Sequence, residues 1–299
     1  MWTKENIPDQ TGKTILITGA NTGIGFETAL AMYEAGVHVV LACRSQQKAD
    51  DTLNKLQAQP GKGTLETGVL DLSDLSSVKH FSNLFIQKHL QLHVLINNAG
   101  VAMPPATKTA EGYELQFGVN FLGHFALTGL LYPLLKATPG SRVVTLSSNG
   151  YQGSVIDFDN LKSEAGYEPM REYRQSKLAD LMFSVELQRR ITAKGDKVLS
   201  IAAQPGANKT ELTRHLSDEE VAAGVKRLGE FMEPWQGALS SLYAAVSNEA
   251  TGGNMYEPDK GGYRGYPTLA TIQENALDKT VAKKLWDLAE QITGVRSPV

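Results

Sequence analysis

The chain has 299 residues, of which 41% are hydrophobic and 20% charged, enough apolar material for a full core and ordinary for a soluble globular domain. Its net charge of −3 offers no positive field to nucleic acid or to an anionic membrane. Cys43 is the single cysteine, which excludes an intramolecular disulfide and a cysteine-rich metal site, and no metal centre is expected.

Short β-branched runs alternate with helical stretches along the chain. Strands are expected over residues 14–18, 37–43, 64–70, 94–97, 142–146 and 197–203. Helices are expected over 23–35, 46–57, 75–89, 112–136 and 170–194. The strands are nearly continuous apolar runs, the pattern produced when helices cover both faces of a sheet. Alternating units with short connections imply an α/β domain with one doubly wound parallel sheet spanning 1–299. Residues 211–235 break the alternation. They begin a helix at Ser217-Asp-Glu-Glu220, and Val221, Val225, Leu228, Phe231 and Met232 recur at helical spacing, so a helical lid over the site is expected. Met103, Tyr151, Phe158, Met232 and Trp235 are expected to line an apolar cleft. The most apolar segment, Phe117 to Leu135, is interrupted by Asn120, His124 and Pro133 and reads as a buried helix, not a membrane span. The N-terminal residues have no apolar region of signal-peptide length, so a soluble, cytoplasmic protein is expected.

Two stretches carry the chemistry. Thr18-Gly-Ala-Asn-Thr-Gly-Ile-Gly25 follows the first strand and opens the first helix. Glycine lets the backbone turn sharply and approach phosphate, and the helix start supplies free N–H groups and a positive dipole end. The second strand ends Leu41-Ala-Cys43-Arg44-Ser45, with an arginine where an NAD site needs a carboxylate for the ribose hydroxyls. A guanidinium pairs with a 2′-phosphate, so NADP(H) is the expected cofactor. Further along, Tyr173-Arg-Gln-Ser-Lys177 places a phenol and an ammonium on one helix face. A neighbouring ammonium favours phenolate over phenol, so such a pair can exchange a proton with an alkoxide or an alcohol. Ser147-Ser148 ends the fifth strand at the ligand side of the sheet, where a hydroxyl can orient a carbonyl oxygen. Asn97-Asn98-Ala99-Gly100 ends the fourth strand, and Asn120 lies in an apolar helix where its amide needs partners.

In this order the motifs resemble the short-chain dehydrogenases/reductases, from about Gly12 to Gly294. The steps Ala42-Cys43-Arg44, Asn120-Phe-Leu-Gly-His-Phe125, Tyr173 to Ala179 and Lys284-Leu-Trp-Asp-Leu288 are most similar to the retinol-dehydrogenase-like branch and to the oxidoreductase domain of WW-domain oxidoreductases. The resemblance implies a Rossmann sheet and a reversible carbonyl/alcohol hydride transfer on a small apolar substrate. It implies that Tyr173 is the acid/base, that Lys177 binds the nicotinamide ribose and tunes Tyr173, that Ser148 polarises the carbonyl and that Asn120 holds a relay water. It places Gly19, Asn21, Thr22, Gly23, Ile24, Gly25, Arg44, Asp71, Leu72, Asn98, Ala99, Gly100, Pro205, Gly206 and Thr210 against the cofactor, with Asp71 at the adenine. Asn208 stands where the family carries an apolar residue, and residues 151–172 form an extra loop near the site. The membrane-anchored members have an N-terminal hydrophobic segment not seen in these residues, which weakens an inference to retinoids. The resemblance also implies a homodimer through the two long helices. Two other readings are a C=C or C=N reductase and a non-catalytic NADP-sensing regulator. Ser148 favours a carbonyl over the first, and the intact Ser148, Tyr173 and Lys177 favour an enzyme over the second.

Overall fold

A computed structural model describes residues 1–213 and 217–296. Eight strands form one sheet in the order β3-β2-β1-β4-β5-β6-β7-β8. They are β1 (Thr14–Thr18), β2 (His38–Cys43), β3 (Thr64–Val69), β4 (Val94–Asn97), β5 (Arg142–Leu146), β6 (Leu199–Ala203), β7 (Met255–Lys260) and β8 (Arg264–Leu269). The first seven pair in parallel, and β8 pairs antiparallel to β7. All six expected strands are present, and the doubly wound parallel arrangement holds for them. The last two strands were not expected. Pro258 and Pro267 face each other across that ladder and the outer ends are exposed, so neither strand carries the apolar signature of a central one.

Helices α1 (Gly23–Glu34), α2 (Gln46–Gln57), α3 (Leu75–Lys88), α4 (Gly123–Ala137), α5 (Pro169–Lys194), α6 (Asp218–Leu228), α7 (Pro234–Val246), α8 (Glu274–Leu277) and α9 (Lys279–Thr293) complete the chain. One core lies between the sheet and α3, α4, α5 and α9, and the other between the sheet and α1, α2 and α7. The fourth helix does not start near 112 as the composition suggests. Residues Lys108 and Glu114 pair across a tight turn, with Gly112 in left-handed conformation (φ +81°). A π-helical turn, Phe117–Leu122, then leads into α4. Residues Phe117–Ala137 are long and apolar enough to cross a membrane, but 78% of that window is buried in the protein, which makes it the core helix expected.

The C-terminal helix α9 packs on one side of α4 and α5. Trp286 of α9 packs edge-on against Phe125 at 5.1 Å and stacks on Phe183 at 5.8 Å, and Arg190 lies over its outer side at 4.3 Å.

Helix α5 is long for identifiable reasons. Glu168 caps the first turn by accepting from the N–H groups of Met170 and Arg171, Pro169 occupies the first helical position, and Gly195 ends the helix at φ +72°. Tyr173 and Lys177 therefore sit in its rigid first half, facing the carboxyl ends of β4 and β5. The lid region folds as expected in one respect. Ser217 caps α6 in a reciprocal box with Glu220. Residues 214–216 of the expected lid lie outside the described residues.

Candidate active site

A cavity of about 520 Å³ runs along the carboxyl ends of the strands. Its wall includes every residue expected at the cofactor, namely Gly19, Asn21, Thr22, Gly23, Ile24, Gly25, Arg44, Asp71, Leu72, Asn98, Ala99, Gly100, Tyr173, Lys177, Pro205, Gly206 and Thr210, together with Ser148. Asn120 is fully buried behind this wall.

At one end, the glycine turn is fixed by sterics. Gly19 has φ +65°, and a Cβ there would sit 2.8 Å from Ala99 Cα. A Cβ on Gly25 would lie 2.3 Å from the Gly19 carbonyl oxygen and 2.5 Å from Asn98 Nδ2. Only glycine lets the start of α1 press against the turn. The N-cap residue Thr22 makes no side-chain cap, so no side chain of that residue competes for the first N–H groups of α1. Arg44 follows β2 and is exposed at the same end, beside Lys48 in the first turn of α2. Lys48 was not anticipated; it lines the same cavity as Arg44. Asp71 accepts from the Ser73 N–H at 2.9 Å and its hydroxyl at 2.6 Å.

A hydroxyl joins this turn to the neighbouring strand. Thr18 Oγ1 accepts the N–H groups of Asn98 and Ala99, each at 3.0 Å. It lies 2.8 Å from His124 Nε2 and 3.4 Å from the Ile96 carbonyl, so the imidazole is the better acceptor for its proton. His124 Nδ1 is 2.7 Å from the Asn120 carbonyl oxygen, which can only accept. These partners assign the tautomer: Nδ1 carries the proton and Nε2 accepts. Burial, reinforced by the Lys177 charge, pushes the His124 imidazolium down to a pKa of about 4, so the ring is neutral near pH 7. Asn98 contributes by donating through Nδ2 to the Thr18 carbonyl at 2.8 Å. Asn120 donates to Val101 O at 3.0 Å and to Ser176 Oγ at 2.9 Å, and accepts from Val101 N at 2.9 Å. Its side chain braces the loop after β4.

At the other end, Ser148, Tyr173 and Lys177 converge. A methyl group placed on Gly150 would lie 3.5 Å from Tyr173 Cε1 and 3.6 Å from Ser148 Oγ, so both face one space. Placed on Gly100, it would lie 3.4 Å from Asn120 Oδ1 and 3.9 Å from Lys177 Nζ. Ser148 Oγ accepts from the Gly150 N–H at 3.1 Å and keeps its own proton to donate. Arg174 holds that turn by donating to Gly150 O at 3.1 Å and Gln152 O at 2.6 Å.

Lys177 is buried, and its ammonium donates to Leu146 O at 3.0 Å and Asp180 Oδ2 at 2.8 Å. Burial alone would lower the lysine pKa, but Asp180, with Tyr173, raises it. Burial pushes the Asp180 carboxyl up to about 6 against the pull of Lys177. The pair is therefore ionised near pH 7. Asp180 was not anticipated, yet a carboxylate three residues beyond Lys177, inside Leu178-Ala-Asp-Leu-Met-Phe183, is a sequence signal for a buried counter-charge.

The substrate side differs from the expected cleft. Met103 lines the cavity with Leu115, Val119, Leu212 and Phe231. Tyr151 does not; it is buried in the core and its hydroxyl accepts from Gln273 N at 3.1 Å. Phe158 lies beneath Lys284 on the outer face, Met232 is buried under the wall, and Trp235 is on the surface. Bulky apolar residues near the motifs satisfied core and surface packing first. Asn208 donates to Pro205 O at 2.7 Å and Gly206 O at 3.1 Å, so the polar residue stiffens the proline-glycine turn where the family has an apolar one.

Two measurements test this wiring. Asp180→Asn leaves the buried Lys177 charge without its partner and should cost about 3–5 kcal/mol in urea unfolding. The double variant Asp180→Asn/Lys177→Met should recover most of that loss; additive losses would show that the ion pair is not coupled. His124 has a folded pKa of about 4, below its ordinary 6.5. Its contribution is present above pH 6.5 and lost as pH falls toward 4, on the order of 3 kcal/mol. Unfolding free energy followed against pH should fall through that window, and His124→Gln should flatten the fall; parallel curves would contradict the assigned neutral ring.

Comparison with known proteins places the chain in a family. The profile of the short chain dehydrogenases matches residues 13–221. Retinol dehydrogenase 14 of Mus musculus is 39% identical over 297 residues, covering 95% of this chain and 86% of that protein. Polyprenol dehydrogenase of Mus musculus is 38% identical over 296 residues, covering 96% and 86%. A crystal structure of an uncharacterised protein from Mycobacterium paratuberculosis superimposes with a TM-score of 0.83 at 36% identity, covering 100% of this chain and 99% of that one. The chain belongs to the short-chain dehydrogenase family of oxidoreductases.

Proposed function

We propose that the chain is an NADP(H)-dependent carbonyl reductase/alcohol dehydrogenase acting on an apolar substrate. The observation that carries this reading is the single cavity wall that joins an uncapped helix start and two cations at one end to Ser148, Tyr173 and Lys177 at the other. The glycine cradle and the first N–H groups of α1 fit a pyrophosphate. Arg44 and Lys48 fit a 2′-phosphate, and no carboxylate stands at the end of β2 to repel it. When bound, NADP(H) supplies or accepts the hydride.

The chain's own residues do the rest. Ser148 donates a hydrogen bond to the carbonyl oxygen and aims it at Tyr173. Tyr173 delivers a proton to the developing alkoxide in reduction and removes it in oxidation. Lys177, charged and held by Asp180, stabilises the phenolate that remains. Met103, Leu115, Val119, Leu212 and Phe231 exclude water and hold the apolar portion of the substrate. The relatives are named for retinol and polyprenol, both isoprenoid alcohols, so aldehydes of that class are the first substrates to try. Residues 211–235 supply Leu212 and Phe231 to the wall, in keeping with a lid role.

The parent chain should bind NADPH more tightly than NADH. Removal of Arg44 by Arg44→Ala should weaken NADPH by about 1.5–3 kcal/mol with little change for NADH, read by fluorescence titration. Equal affinities in the parent would remove the 2′-phosphate assignment. Tyr173→Phe should lower kcat by about 100- to 10,000-fold while NADPH affinity stays nearly constant. Normal turnover in that variant would place the acid elsewhere.

A further inference from the structure

Far from the cavity, three side chains converge at the edge of the sheet. His38 opens β2, Glu66 lies in β3 and His89 caps the end of α3. The cavity takes Ala42 and Arg44 from the opposite end of β2. The register pairs His38 with Thr64 and Val40 with Glu66, so His38 and Glu66 are diagonal neighbours on one sheet face. His38 Nε2 lies 3.3 Å from Glu66 Oε2, and His89 Nε2 lies 3.3 Å from Glu66 Oε1. The three groups' ligand atoms all fall within 4.8 Å of one another.

The two 3.3 Å separations are long for charge-assisted hydrogen bonds and close to the spacing of ligands around one cation, and all the ligand atoms lie within 4.8 Å, so a small inward shift would close the shell. A charge-assisted N–H···O bond closes to about 2.7–2.9 Å. Ligands bound at about 2.0–2.1 Å in a tetrahedral shell stand about 3.4 Å apart. The two histidines approach separate carboxylate oxygens, each through its ε nitrogen. His38 Nδ1 is 2.7 Å from Thr64 Oγ1, an outer partner that can hold the proton on Nδ1 and leave Nε2 free to ligate. The His89 ring is oriented by Phe85, with centroids 4.4 Å apart. Lys88 Nζ already sits 2.8 Å from Glu66 Oε1, so the carboxylate attracts a cation, but that lysine is 63% exposed and readily displaced into water.

We propose that His38, Glu66 and His89 form a binding site for a divalent d-block cation of the zinc and cobalt type, which clamps the edge strand β3 to β2 and to the end of α3. Two imidazoles and one carboxylate suit such an ion and not magnesium or calcium, which take oxygen shells. The fourth position is left to water.

The test uses the full tag-free chain and Co²⁺, with Zn²⁺ as competitor. Visible absorption of a four-coordinate cobalt site should appear with one equivalent and be displaced by Zn²⁺. His38→Asn and His89→Asn should each weaken binding by more than about 100-fold, and Thr64→Val by about 10-fold. Lys88→Ala should tighten it by removing the competing ammonium. Zn²⁺ should raise the thermal midpoint of the parent and not of the histidine variants. Should a histidine variant fail to fold, the exposed-site pair Thr64→Val and Lys88→Ala still reads the site in opposite directions. Absence of one-to-one binding, or affinities unchanged across these variants, would overturn the proposal.

Discussion

A lysine ammonium buried in an α/β core needs a counter-charge, and this constraint organises the half of the cavity that holds Ser148 and Tyr173. Lys177 answers it with Asp180 on the same helix and the Leu146 carbonyl at the end of β5. The Leu146 contact fastens α5 to the strand that delivers Ser148. Ser147 adds a second tie by donating to the Lys177 carbonyl at 2.8 Å. The arrangement therefore fixes Tyr173 relative to Ser148 without asking either group to spend its own proton, a supporting shell of the kind a reactive site requires. Desolvation makes the same pair a point of high energetic stake, since a lone charge left there is far costlier than the pair.

The half built around the glycine turn is organised by a neutral junction. Thr18, His124, Asn98 and the Asn120 carbonyl form one satisfied hydrogen-bond chain that links β1, β4 and α4. The π turn Phe117–Leu122 contains Asn120 and lies between the two halves. Asn120 reaches Ser176 on α5 as well as Val101 after β4, so one side chain spans both. Parallel pairing then explains why the halves meet at all: it brings the carboxyl ends of β1, β2, β4, β5 and β6 to one side of the sheet.

Much of this was legible in the chain because it rests on local rules. The β1 run, the turn at Gly19 to Gly25 and the spacing of Tyr173 and Lys177 each state their geometry within a few residues. So does the Ser217 box that starts α6. Other features depend on distant partners. Strands β7 and β8 carry prolines and exposed ends, β8 at the sheet edge, so their pairing is visible only once β6 is in place. Tyr151 and Phe158 have the composition of a pocket and the position of packing residues. The packing of α9 on α4 and α5 is not local, because Trp286 lies more than a hundred residues away from either Phe125 or Phe183 along the chain. His38, Glu66 and His89 are separated in sequence and joined by strand register. Asp180 is the exception: its signal was local and lay in plain view as a carboxylate inside an apolar run.

The central claim is that hydride passes to a carbonyl carbon while Tyr173 supplies the proton to oxygen. Single-turnover reduction of an isoprenoid enal with NADPH deuterated at the transferring position tests it directly. The account predicts a primary isotope effect and an allylic alcohol with deuterium on the carbinol carbon. Deuterium on a former alkene carbon, with the aldehyde intact, would contradict it.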